Sequence, residues 1–214
     1  MTSRTTGWAS IVMALSIVSF IPITMVGYSG AGVDSTDFTD GAVFLPFVAA
    51  HRALAASPYV VGLVMHLAGV VLVVGLWSRL RDRSPWVSVA AALGLMWMMF
   101  DIAYNGVAIH VLPEMATLPG DAGTYAAYGA LTRSLSALQL TGHLGGGIWL
   151  AITAATAVST GAMGRALGRW GVVAGVVFAA SVFGPRILFP SFILLPVWFA
   201  WFGIMSIRTA ATVG

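Results

Sequence analysis

Residues 96–110 read MWMMFDIAYNGVAIH. A carboxylate, Asp101, and an amide, Asn105, stand inside a run that is otherwise apolar over the length of a membrane-crossing helix. A charge at mid-bilayer costs about 2.5–3.5 kcal/mol even on a lenient insertion scale. Asp101 must therefore face other helices, and the chain must supply a bundle around it.

The rest of the sequence agrees. It is 59% hydrophobic and 8% charged, where soluble domains carry about 25% charged residues. The expected fold class is all-α: a polytopic integral membrane bundle of six transmembrane helices in one domain, residues 1–214. Six stretches approach the length needed for about 30 Å of hydrocarbon: residues 8–28, 59–77, 86–111, 135–158, 170–183 and 189–207. The fifth is short and closes on Gly184-Pro185-Arg186, which leaves little length for tilt. Trp8, Tyr59, Trp77, Trp86 and Trp170 sit at span ends, where an interfacial aromatic belt belongs.

Arginine sets the expected orientation. With the N-terminus inside, Arg4, Arg79, Arg81, Arg83, Arg165, Arg169 and Arg208 are cytoplasmic, and only Arg52, Arg133 and Arg186 are outside. That excess places both termini in the cytoplasm. It also accounts for the basic balance: a net charge of +3, spread over helix ends, is no nucleic-acid surface. The absence of cysteine excludes disulfides, thiolate metal sites and thiol nucleophiles. There is no G-x-S-x-G, P-loop or H-E-x-x-H motif, which removes the usual support for hydrolase or phosphoryl-transfer chemistry.

Two outer segments, 29–58 and 112–134, exceed what a bundle connection needs. The first ends in AVFLPFVAAHRALAAS, read as a short interfacial or re-entrant helix bent at Pro46. The second is broken by Pro113 and Pro119 before a helix leads into span four. Both are expected to cap a pocket.

Helical spacing gathers the intramembrane polar residues. Gly94, Trp97, Asp101, Asn105 and Ala108 share one face; His66 lies between Gly62 and Gly69; Ser136, Gln139, His143, Gly146 and Gly147 form a third stripe. Small residues mark the faces where membrane helices approach closely. At 1.5 Å per residue, His66, His143 and Asp101 lie roughly 10–15 Å below the outer ends of their spans. Three helices thus bring ionisable groups to one level. Asp101, His66 and His143 are the candidate catalytic groups, with Asn105, Gln139, Trp97, Tyr104 and Arg186 as ligand-binding candidates. Phe189–Phe202, FPSFILLPVWFAWF, reads as lipid-facing or core filling. Taken singly, each polar residue also fits plain helix packing.

Four functions stay open. The first is binding or handling of a lipophilic small molecule, lipid or isoprenoid in type, in an outward-facing polar pocket. The second is an acid/base membrane enzyme, of cyclase or isomerase type. A carboxylic acid in a dry pocket can remain protonated and donate its proton, and Trp97 and Tyr104 would face cationic character. The third is a haem or divalent-metal protein on His66 and His143, although no cofactor is expected outright. The fourth is a non-catalytic scaffold subunit, in a homo-oligomer or larger membrane complex.

LQLTGHLGGGIWLAITAATAVSTGAMGRALGRWGVVAGVVF, residues 138–178, followed by LLPVWFAWFGI, residues 194–204, resembles a bacterial multi-pass membrane family catalogued as domain of unknown function number 4386. In that pattern a histidine opens span four, matched by His143, and an R-x-L-G turn leads into span five, matched by Arg165-Ala166-Leu167-Gly168. Pro196 and Trp198 fit its last span. The resemblance covers about a third of the chain. It implies a six-span architecture and the bacterial cytoplasmic membrane, with membrane lipids as surroundings; it implies no activity.

Overall fold

The computed structural model describes residues 3–34 and 37–211. Residues 1–2, 35–36 and 212–214, which include the ends of the expected domain and part of its first outer segment, lie outside the described residues. Among the described residues every regular element is helical. The helices are α1 (Ser3–Ile21), α2 (Gly41–Ala50), α3 (Arg52–Leu80), α4 (Trp86–Met115), α5 (Ala122–Ser159), α6 (Arg165–Ala180) and α7 (Pro185–Ala211). Two short 3-10 turns, Asp37–Thr39 and Ser181–Phe183, join them.

Local chemistry sets the ends. Asp40 accepts a hydrogen bond from the Ala42 amide at the start of α2. Asp121 accepts from the Thr124 amide at the start of α5, satisfying a donor the first turn leaves orphaned. Gly161, at φ 69°, takes the left-handed conformation that turns α5 into α6. Pro22 has no N–H to give the preceding turn, and from Pro22 to Tyr28 α1 continues as a wider π-helix. Inside α2, α3, α4 and α7, Pro46, Pro58, Pro113, Pro190 and Pro196 leave the helices continuous.

Five helical stretches are long and apolar enough to cross a membrane: Ser3–Tyr28, Arg52–Leu80, Trp86–Met115, Arg165–Phe183 and Arg186–Ala211. The expected short fifth span is corrected here, because the helix starts at Arg165, ahead of Trp170, and the 3-10 turn extends it to Phe183. At 38 residues α5 has ample length, but Gln139, His143 and the Gly145–Gly147 run dilute its hydropathy. The segment 112–134 is mostly helix: α4 runs through Pro113 and α5 begins at Ala122, which leaves only residues 116–121 between them.

The six long helices form a closed ring. Each packs on its neighbour in the order α1, α3, α4, α5, α6, α7, and α7 returns to α1. Neighbours are antiparallel: Arg79 donates to Thr6 Oγ1 at one end of the α1–α3 pair, and Tyr28 donates to the Ala55 carbonyl at the other. Ser3 and Ala211 consequently lie at the same end of the ring, which is also the arginine-rich end. Apolar transfer gives little drive between helices in lipid, so close contact has to hold them. A Cβ on Gly203 would stand 2.8 Å from the Gly7 carbonyl, and one on Gly175 would stand 2.6 Å from that of Gly147. These glycines bring α7 against α1 and α6 against α5.

Two cores fill the ring. Near the termini, Met13, Leu72, Met98, Trp149, Trp198 and Phe199 are fully buried. At the far end α2 lies over the ring, and its Phe44 and Phe47 join Tyr28, Phe38 and Tyr128 in an aromatic cap. A cavity separates the two.

Candidate functional site

The cavity has a volume of about 270 Å³ and is walled by side chains from the ring helices and the cap. Its polar groups converge around Asp101, which is 1% exposed. Trp97 Nε1 donates to Asp101 Oδ2 at 2.7 Å. The indole can lie flat on α5 because residue 146 is glycine; a Cβ there would overlap the ring. Asn105 Nδ2 donates to the Asp101 backbone carbonyl at 2.6 Å, and Gly62 on α3 leaves room for the amide, since a Cβ there would meet Asn105 Oδ1 at 2.5 Å.

His66 completes the centre. Its Nδ1 is 2.6 Å from the Gly62 carbonyl and its Nε2 is 2.8 Å from Asp101 Oδ2. A carbonyl only accepts, so Nδ1 carries a proton. Oδ2 sits off the ring's Nε2–H axis, since Nε2 meets no hydrogen-bond angle. His143 Nε2 approaches the same oxygen at 3.8 Å, and Phe178 backs its ring with centroids 4.6 Å apart.

Among the described residues four buried polar atoms of cavity-lining side chains have no hydrogen-bond partner in the protein: His66 Nε2, Asp101 Oδ1, His143 Nδ1 and Ser191 Oγ. Ser191 is the unexpected one. Many helical hydroxyls here bond back to a carbonyl three or four residues earlier, as Ser78, Thr141 and Ser181 do. Ser191, 1% exposed on α7, does not.

Asp101, His66, His143, Asn105, Gln139, Trp97 and Tyr104 thus share one cavity. Arg186 is corrected: it is exposed at the start of α7 and does not line the cavity. The reading of residues 189–202 as filler is corrected in part, because Ser191, Phe192 and Leu195 form the α7 wall. Ser16, on α1, also lines the cavity and was not anticipated. Hydroxyls inside apolar runs were the available signal, but serine bonds back to its own helix so readily that the type alone says little.

Among the described residues no group of three His, Asp or Glu side chains could hold a metal ion. Asp101 Oδ2 lies 2.8 Å from His66 Nε2 and 3.8 Å from His143 Nε2. No family model matches the chain, nor does any curated protein or solved structure.

Proposed function

We propose that this protein is a six-span membrane protein with both termini in the cytoplasm, and that its cavity binds a lipophilic small molecule. A polar centre set in a mostly apolar pocket between helices is the usual form of a small-molecule site. One observation carries the reading: buried polar atoms on four different helices line one cavity without hydrogen-bond partners. Leaving such groups unpaired costs about 1–3 kcal/mol each, so a bound molecule that pairs them is favoured. The bacterial inner membrane and kinship with the family resembled around His143 and Arg165–Gly168 belong to this proposal.

The test is extraction of the gently purified protein followed by mass spectrometry, with wild type beside Leu195→Trp, which fills the cavity. A lipophilic molecule near one per chain in wild type, and depleted in the variant, is the expected result. Equal amounts in both would sink the reading.

The short His66–Asp101 contact favours a second reading, in which the Asp101 carboxyl exchanges a proton with the bound molecule and His66 positions it. Asp101→Asn would then stop turnover while the molecule stayed bound.

A further inference from the structure

Charge narrows the ligand class. Among the described residues no arginine lines the cavity, and the chain contains no lysine. A phosphate or carboxylate head would enter an apolar space without a fixed cation, which is a heavy penalty for a buried anion. An amine fares no better. Among the described residues Asp101 is the only acidic one on the wall, and its Oδ2 is already engaged by Trp97 Nε1 and lies 2.8 Å from His66 Nε2, which leaves a single carboxylate oxygen to meet an ammonium.

The free atoms narrow it again. With Oδ2 taken by Trp97 and His66, Asp101 has Oδ1 left to accept. Ser191 Oγ can donate or accept, and His143 Nδ1 can do either according to its tautomer. One group that both donates and accepts can pair with such a set, and a hydroxyl is the smallest that does. The remaining wall is mostly apolar, including Ile17, Phe20, Met65, Phe192 and Leu195. At about 270 Å³ the space sits just below the usual range for drug-sized ligands, about 300–1,000 Å³. It has room for one chain or a compact ring system and not for two acyl chains.

We infer that the ligand is an uncharged lipophilic alcohol, with its hydroxyl between Asp101 and Ser191 and its hydrocarbon along the α1 and α7 wall. This rests on the binding function proposed above.

The experiment uses the full chain in lipid nanodiscs and photoreactive probes that share one diazirine-bearing alkyl chain. Their heads are a hydroxyl, a carboxylic acid, a phosphate monoester, a primary amine, or none. Labelled residues are mapped by mass spectrometry. The alcohol is expected to label cavity residues such as Met65 and Leu195 about tenfold more than any charged probe or the headless alkane. Ser191→Ala and Asp101→Asn should each lower alcohol labelling several-fold without changing labelling by the headless alkane. Ser191 stands on a different helix from Asp101, so the test survives if Asp101→Asn fails to fold. Stronger cavity labelling by an acid, phosphate or amine overturns the alcohol assignment and leaves a binding cavity in place. Equal labelling by the headless alkane overturns the assignment too. If no probe labels the cavity, the binding function itself falls.

Discussion

Gly146→Ala adds one methyl group at the point where α5 meets the Trp97 indole. The new Cβ would overlap the six-membered ring and stand 2.8 Å from Trp97 Cγ, so the indole must move. Overpacking of this kind costs about 1–3 kcal/mol. Moving the indole also withdraws Nε1 from Asp101 Oδ2, a hydrogen bond of 2.7 Å to a carboxylate, worth about 1.5–3 kcal/mol. Alanine is the better helix former by about 1 kcal/mol, which offsets part of the loss. The net expectation is destabilisation of about 2–5 kcal/mol. Gly106→Ala is the matched control. It lies in α4 with nothing within 4 Å of its added Cβ, and should be neutral or stabilising by up to about 1 kcal/mol. Reversible unfolding in mixed micelles, followed by tryptophan fluorescence and far-ultraviolet circular dichroism, measures both. If Gly146→Ala unfolds at the same denaturant concentration as Gly106→Ala, then α4 and α5 do not pack as described, and the support given to Asp101 is misassigned.

Other outcomes follow from the same contacts. Ser10→Ala removes a buried hydrogen bond of 2.7 Å to the Phe199 carbonyl and should cost about 0.5–1.5 kcal/mol in the same unfolding assay; an unchanged midpoint would mean that this bond does not tie α1 to α7. The Asp121 carboxylate is held below its ordinary range by the Thr124 amide, which donates to it. A lowered folded-state value means that the cap acts above the ordinary carboxylate range, about 4, and is lost as pH falls through the lower folded value. Hydrogen exchange at Thr124 should therefore lose its protection below about pH 4, and protection unchanged down to pH 2 would contradict the cap. Finally, the chain contains no cysteine, so single cysteines report topology cleanly. Asp82→Cys and Ser159→Cys should react with an impermeant maleimide only from the cytoplasmic side, and Thr117→Cys only from the other; any other pattern removes the six-span arrangement.

The helices were readable because hydrophobic runs and glycine spacing are local signals. Asp101, His66 and His143 could be placed at one level because rise per residue converts position into depth. The faces of α4 were legible for the same reason: Gly94, Trp97, Asp101, Asn105 and Ala108 are all buried. Helix ends were harder to read. Proline was taken as a stop at 113, but in an apolar setting an unpaired backbone group is costly enough that the helix continues through it. Pairwise geometry was the least legible. Nothing local says that Gly62 makes room for Asn105, that Ser191 lacks a partner, or that Arg186 turns away, because each depends on which helices become neighbours around the ring.

Closure of the ring also has a consequence for biosynthesis. In chain order α1 is made first, and one of its two flanking neighbours, α7, is made last. Until α7 arrives, Ile17 and Phe20 border an open cleft and the polar atoms behind them look onto lipid. The cavity therefore closes only once α7 is in place. An intermediate halted before α7 would leave the Asp101 carboxyl, 1% exposed in the finished ring, beside an open cleft.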